Sequence, residues 1–370
     1  MAELKNIISH KFKEHRTGSA PLKAPHPHRF PRTWAALFLC ACAVAFAVQS
    51  SDDILTRATA LYRQGRYGDA VLLFRKAEQR GADPFATSFN TGNALFQQGK
   101  YPEAAAAYRK AIEFSRGKYA PAIFNYASVL FRIGEYPECV AAYHRGLAID
   151  PSNESAWLYL AEASSKTGDK VGTLRALTRA YKLDPDDISI AYQFAEAYVA
   201  MNDIESAVAL IRKAYQRNPQ ETDFLIYIGD VYRLDKEYDR SAGAYREALS
   251  AHPDNTAVLY KLADVLSEAG ENYVAMDVLS QILEIDPGFS DAAIFLGNLA
   301  FDAGWWERAE QAYVKAAEAK NAEAVYGFKN LAFEASHRGD KEDAVRYLKI
   351  AHKFFPGDGS VQAEILSIEN

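Results

Sequence analysis

Four carboxylates, Glu162, Glu196, Asp230 and Asp264, follow one another at intervals of 34 residues. Brought onto one surface, such a row repels itself, and a bound cation relieves the repulsion. Tyr159, Tyr192, Tyr227 and Tyr260 fall close to the same beat. Their rings add cation–π attraction of about 0.5–2 kcal/mol each to a Lys or Arg side chain laid over them. The chemistry on offer is recognition of a cationic segment. No glycine-rich phosphate loop, paired metal-ligand spacing or nucleophile elbow occurs in the chain. His144, His252, His337 and His352 are scattered as surface or rim residues, and His26-Pro27-His28 offers only two ligands, too few for a strong metal site. These residue types point to no enzyme, no cofactor and no metal.

A fixed interval between the carboxylates must come from the elements that carry them. Pro151, Pro185, Pro219, Pro253 and Pro287 keep the same 34-residue spacing, and Pro356 lies two periods plus one residue further on. Proline stops a helix because it lacks the N–H and clashes with the preceding turn. Gly65, Gly99, Gly134, Gly168, Gly270, Gly304 and Gly339 keep the beat too, with Asn202 and Lys236 in the two registers that lack glycine. Glycine or Asn just past a helix tolerates a left-handed backbone. Five residues after the glycine comes a small side chain (Ala70, Ala104, Cys139, Ala207, Ser241, Ala275, Ala309, Ala344). A large apolar one follows (Phe74, Tyr108, Tyr143, Leu177, Ile211, Tyr245, Leu279, Tyr313, Leu348). Apolar residues three and four apart make one helical stripe, and small residues opposite large ones let antiparallel helices pack closely. Each unit is therefore a helix, a tight turn, a second helix and a stop. In this register Cys139 is a buried packing residue; Cys40 and Cys42 lie in a separate apolar segment, so no disulfide framework is present.

This pattern resembles the tetratricopeptide repeat, a helix-turn-helix unit of 34 residues. The resemblance covers residues 51–358, with nine units starting near Ser51, Phe85, Ala120, Glu154, Ile188, Thr222, Thr256, Ser290 and Val325. The unit at Glu154 carries the family signature in Trp157, Leu160, Ala161, Gly168, Ala180 and Pro185. The resemblance implies an all-α, right-handed superhelical solenoid with a concave wall made by the first helices. Val361, Ile365 and Ile368 predict a short capping helix within 359–370.

By the same resemblance, the ninth residue of each first helix faces a ligand, which puts Glu162, Glu196, Asp230 and Asp264 on one inner strip. Tyr159, Tyr192, Tyr227 and Tyr260 edge it. Arg233 and Lys261 are placed to pair with Asp230 or Asp264, which would quench part of the strip. Asn90, Asn93, Phe124 and Asn125, with Phe89, Phe96 and Phe131 nearby, form a second, less charged subsite for a peptide's amides and apolar side chains. Phe89, Ser155 and Tyr159 replace the basic residues with which a well-known version of this groove grips a C-terminal carboxylate. That departure argues against binding of such a tail. Trp306 matches the packing aromatic of the eighth turn. Trp305 points outward, toward a partner or into partial burial against the next unit.

Residues 1–33 differ from the rest. They are rich in Lys, Arg and Pro, and this composition predicts a disordered basic arm. Trp34 to Val48 is uncharged and apolar, and Asp52 and Asp53 follow it. Basic before and acidic after is the orientation rule for an export segment. Residues 34–50 are thus expected to act as a membrane anchor with the repeats on the extracytoplasmic side, or as a signal removed near Ala47, or as a lipidation site at Cys42. A core helix in a cytoplasmic protein is the remaining alternative. The arm can touch anionic headgroups on the cytoplasmic side.

The chain's net charge is −6, and removing the basic arm leaves a still more acidic repeat body. Nucleic-acid binding needs a basic face and is not expected. The expectation is a non-enzymatic, membrane-anchored or exported scaffold that binds a protein or peptide partner, with a Lys/Arg-rich segment in its groove. The alternative is an accessory subunit of an envelope transporter or biosynthetic complex that docks a binding protein or a small ligand.

Overall fold

The computed structural model describes residues 50–369. The basic arm, and the apolar segment up to residue 49, lie outside the described residues. Those described form nineteen helices and no strand. The first four units pair α1 (Ser51–Arg63) with α2 (Tyr67–Gln79), α3 (Pro84–Gln97) with α4 (Tyr101–Phe114), α5 (Ala120–Ile133) with α6 (Tyr136–Leu147), and α7 (Glu154–Lys166) with α8 (Lys170–Leu183). The next three pair α9 (Ile188–Ala200) with α10 (Ile204–Arg217), α11 (Asp223–Leu234) with α12 (Tyr238–Ala251), and α13 (Thr256–Glu268) with α14 (Asn272–Ile285). Then come α15 (Ser290–Asp302) with α16 (Trp306–Glu318), α17 (Ala324–His337) with α18 (Lys341–Phe354), and the capping helix α19 (Gly359–Glu369). Every expected unit start is within one residue of an observed first helix.

Local chemistry sets these boundaries. Asp83, Asn153, Asp187 and Asn255 cap first helices by accepting backbone N–H bonds, and Asp169, Asp203 and Asp340 do the same for second helices. Pro84, Pro102, Pro121 and Pro137 sit in the first turns of α3 to α6, where a missing N–H costs nothing. The turn between paired helices is left-handed throughout. Asn202 (φ 62°) and Lys236 (φ 63°) adopt it without being glycine.

Packing follows the large-and-small rule. Ala70, Ala104, Cys139, Ala207, Ser241, Ala275, Ala309 and Ala344 are all fully buried, and so are the large residues from Phe74 to Leu348. All but Ser241, whose hydroxyl donates to the Gly229 carbonyl, belong to one apolar core running the length of the stack, as expected when each unit buries its face only against neighbours. First helices of successive units also touch: α1 meets α3, α3 meets α5, α5 meets α7 and α15 meets α17, whereas among second helices only α16 meets α18 to a similar extent. The first helices therefore lie inside the curve and the second helices splay outside it.

Trp305 corrects one expectation. Its ring packs on Tyr273 of the preceding unit, with centroids 5.1 Å apart, rather than on the following unit, and it remains 41% exposed. The ring precedes α16, so it meets the start of α14 across the row of turns.

The wall contains a tight constraint that recurs from unit to unit. Gly229 lies under the ring of Tyr245, and an added Cβ would overlap that ring; Gly297 meets Tyr313 in the same way. Gly243, on the outer helix α12, has open space where a Cβ would go. One substitution type should thus give opposite signs. Gly229→Ala should lose about 1–3 kcal/mol through overpacking, while Gly243→Ala should gain up to about 1 kcal/mol from helix propensity. Urea unfolding of the two variants measures both.

Candidate functional site

The inner wall is built from the ninth residue of each first helix, and its chemistry depends on a residue fifteen positions later. Where that later residue is tyrosine, its hydroxyl reaches through to the wall. Tyr108 donates to Asn93 Oδ1 at 2.7 Å, Tyr245 to Asp230 Oδ1 at 2.6 Å and Tyr313 to Asn298 Oδ1 at 2.9 Å, while the Tyr143 hydroxyl meets Ser128 Oγ at 3.0 Å. A buried phenol needs such a partner. The next unit often closes the arrangement. Asn125 Nδ2 donates to Asn93 Oδ1 at 3.0 Å, and Lys261 Nζ to Asp230 Oδ1 at 2.6 Å. Asn93, Asn125 and Asp230 are therefore engaged in holding adjacent units together.

The expected four-carboxylate strip divides accordingly. Asp230 is shared by Tyr245 and Lys261, and Asp264 pairs with Arg233 at 2.7 Å, which also grips Glu268. Of the two pairings the sequence left open, Lys261 takes Asp230 and Arg233 takes Asp264. These half-exposed pairs contribute little stability, about 0–1 kcal/mol each, but they remove two charges from the strip. Glu162 and Glu196 are exposed and make no ion pair or hydrogen bond among the described residues. Their units have Leu177 and Ile211 at the packing position, which carry no hydroxyl to offer.

Glu162 and Glu196 share one cleft of about 440 Å³ between α7, α8 and α9, lined also by Ser165, Lys170, Leu177 and Gln193. The space has a simple origin. Leu177 is shorter than tyrosine, and Gln193 stands where two of the three other joints with an aliphatic packing residue supply Tyr227 and Phe295. Ala161, Ala197 and Ala200 keep the walls low. Lys170 Nζ donates to the Ala200 carbonyl at the end of α9, so it caps that helix at the rim. A similar cleft of about 450 Å³ lies at the other joint with this combination, where Leu348 meets Glu364 of the capping helix.

The tyrosines sort by depth. Tyr159 is 49% exposed and stacks on Tyr143, with centroids 6.1 Å apart. Tyr192 and Tyr227 meet edge to face at 5.2 Å. Burial pushes both phenols up to about 12, and the Asp223 charge adds to the effect on Tyr192 and the Glu196 charge to that on Tyr227. Tyr260 packs on Phe289 and Phe295. In the second expected subsite, Asn90 is half-buried on the wall, but Phe124 is buried and occupies the space over Gly146. Phe124 is thus a core residue, because Gly146 leaves it a hole to fill. Sequence reading missed Lys170 in the cleft. It also missed the tyrosine-to-wall bonds, although the fifteen-residue spacing was there to be seen.

A family model described as tetratricopeptide repeat matches residues 55–120, 192–256 and 236–290. A second model of the same description matches residues 95–163. The chain belongs to the tetratricopeptide repeat family, whose fold serves protein–protein interaction. No curated protein matches the sequence. Similar solved structures include MamA 41-end from Desulfovibrio magneticus RS-1, at 19% identity over 46% of this chain and 96% of that one, with a TM-score of 0.42. The structure of Naa15/Naa10 bound to HypK-THB is similar at 13% identity over 86% and 66% of the two chains, with a TM-score of 0.48. YrrB, described as a TPR protein with an unusual peptide-binding site, is similar at 21% identity over 52% and 99%, with a TM-score of 0.38. Among the described residues no helix is long and apolar enough to cross a membrane, and no group of side chains is arranged to hold a metal ion.

The buried phenols give a pH signature. Burial raises Tyr108, Tyr143, Tyr245 and Tyr313 above the ordinary tyrosine value. The native chain keeps these protons after the unfolded chain has lost its own at about pH 10, so stability is unaffected below that pH and falls as pH rises above it. Tyrosinate absorbance should therefore rise in two phases, an exposed set near pH 10 and a later set that coincides with loss of helical circular dichroism. A single phase near pH 10 with the helices intact would contradict the burial.

Proposed function

We propose that this protein is a non-enzymatic interaction scaffold whose concave wall binds an extended segment of a partner protein, with a Lys or Arg side chain of that segment placed between Glu162 and Glu196. The observation that carries this reading is the contrast along the wall. Two carboxylates in one cleft make no ion pair, because Lys170 at the rim is turned to the Ala200 carbonyl, while Asp230 and Asp264 each have a cationic partner. A guanidinium or ammonium inserted there gains two charge-assisted contacts, and Tyr159 offers an exposed ring on the same wall. The half-buried Asn90 can meet the segment's backbone amides, and Gln193, whose Nε2 donates to Ser189 Oγ at 3.2 Å, keeps its Oε1 for them.

We further propose that residues 34–50 hold the scaffold at a membrane with the repeats on the extracytoplasmic side. The uncharged run from Trp34 to Val48, basic before and acidic after, supports this. A protein segment is favoured over a small ligand because the cleft is one stretch of a long open wall.

Two measurements test these readings. Against an array of ten-residue peptides, the full chain should prefer those containing Lys or Arg. Glu196→Lys should weaken that binding by about tenfold or more, the scale of one charge-assisted contact, while Asp264→Asn should change it little. Preference for acidic peptides, or affinity unmoved by Glu196→Lys, would sink the groove reading. For the tether, the chain should float with neutral phosphatidylcholine vesicles and resist alkaline extraction; release would refute it.

A further inference from the structure

The outer helices carry a charge arrangement that differs between the two halves of the stack. At the joint of the fifth and sixth units, Arg212 of α10 pairs with Glu247 of α12 at 3.1 Å, and Arg240 of α12 returns the link to Glu205 of α10. Further on, Arg308 reaches Asp277 and Arg346 reaches Glu310, again between successive outer helices. Arg212, Arg240, Arg308 and Arg346 are therefore each paired with a carboxylate about one period away.

In the first half the same positions hold no carboxylate, and five of six hold Lys or Arg. The residue equivalent to Arg212 is Arg75 in α2, Arg109 in α4 and His144 in α6. The residue equivalent to Glu247, one unit further on, is Lys110, Arg145 and Arg179 respectively. Where the later joint sets a carboxylate against an arginine, two of these joints set a cation against a cation, and the third sets Arg179 against the imidazole of His144. All six side chains are exposed, and none makes an ion pair among the described residues. Glu78, Glu103 and Glu113 on α2 and α4 do not bridge these joints, and Asp69 pairs with Arg66. Glu138 of α6 accepts from the Tyr126 hydroxyl, against which Arg109 also lies, and α8 contains no acidic residue. The helices splay on the outside of the curve, so the row is presented outward.

We infer that this outer face of the first four units docks on a bilayer surface rich in anionic phospholipid. A row of unneutralised cations on a rigid convex surface gains most from an extended anionic plane, because each Lys or Arg near such a plane is attracted independently. The row also lies in the units that follow residue 50 most closely, and the apolar run of residues 34–48 directly precedes that point. This inference rests on the membrane reading of that segment for its choice of lipid over an acidic protein. The acidic inner wall and the basic outer face then divide the work, with the groove left open to the partner while the back of the stack meets headgroups.

Amine footprinting of the full chain tests it, with Lys110 and Lys76 as reporters and Lys320, in the eighth unit, as the control. Vesicles containing phosphatidylserine should slow acylation of Lys110 and Lys76 about fivefold or more, and raised salt should abolish the slowing. Neutral vesicles should have no such effect, and Lys320 should react equally in all cases. The double variant Arg109→Glu, Arg145→Glu, with an unchanged melting curve, should lose protection at Lys110. Equal reactivity of Lys110 with and without anionic vesicles overturns the inference, as does protection by polyglutamate alone, which would assign the face to an acidic protein. Failure of the tether appears differently. The chain would then not float with neutral vesicles, yet Lys110 would still be protected by anionic ones.

Discussion

The residue that each second helix drives into its own first helix is the contact on which the rest of this structure depends. From Phe74 to Leu348 it is buried in every unit, and it joins the two helices of a unit to the wall in front of them. A two-helix unit of this size cannot exclude water from its apolar face alone, so units must stack. The same residue also writes the chemistry of the wall. A tyrosine there needs an acceptor, and it takes the wall side chain fifteen residues earlier. An aliphatic residue there makes no such bond, so that side chain is left to solvent, as Glu162 and Glu196 are, or to a cation from the neighbouring unit, as Asp264 is to Arg233. The groove's open chemistry is thus what remains after the core has met its own hydrogen-bonding needs.

This explains why the wall is uneven although the repeat is regular. Asn93, Ser128, Asp230 and Asn298 are paired to buried phenols. Glu162 and Glu196, in units with Leu177 and Ile211, are not. The shorter Leu177 also leaves room for the cleft that holds both carboxylates. Packing and recognition are two consequences of one substitution pattern. A change from Leu177 to tyrosine would close the cleft and supply a competing hydroxyl at once.

Electrostatics divides the molecule along a second axis. Inter-unit ion pairs made by Arg212, Arg233, Arg240, Arg308 and Arg346 lie in the fifth to ninth units. Individually such exposed pairs are weak. Their effect is to neutralise the surface there, while the corresponding positions of the earlier units keep their charge. A near-repeat sequence therefore yields a surface with distinct ends.

Much of the fold was legible because it rests on local, repeated signals. Proline spacing, the turn glycines and the small-large alternation located each first helix to within a residue, and the capping helix was visible in three apolar residues. The candidate site was legible only as a set of wall positions. Phe124 was misplaced because the hole that receives it is made by Gly146, 22 residues away on a different helix. Trp305 was placed on the wrong neighbour because its position just before α16 points it back along the row of turns.

By itself the sequence determined the period, the pairing of helices, the buried residue of every unit and the face on which the carboxylates lie, since each follows from spacing along a helix. Only the tertiary structure decided which of those carboxylates stay unpartnered. Spacing assigns a face to within one turn, but an ion pair or hydrogen bond needs atoms within about 3 Å across a joint, and that closeness is set by how neighbouring units pack.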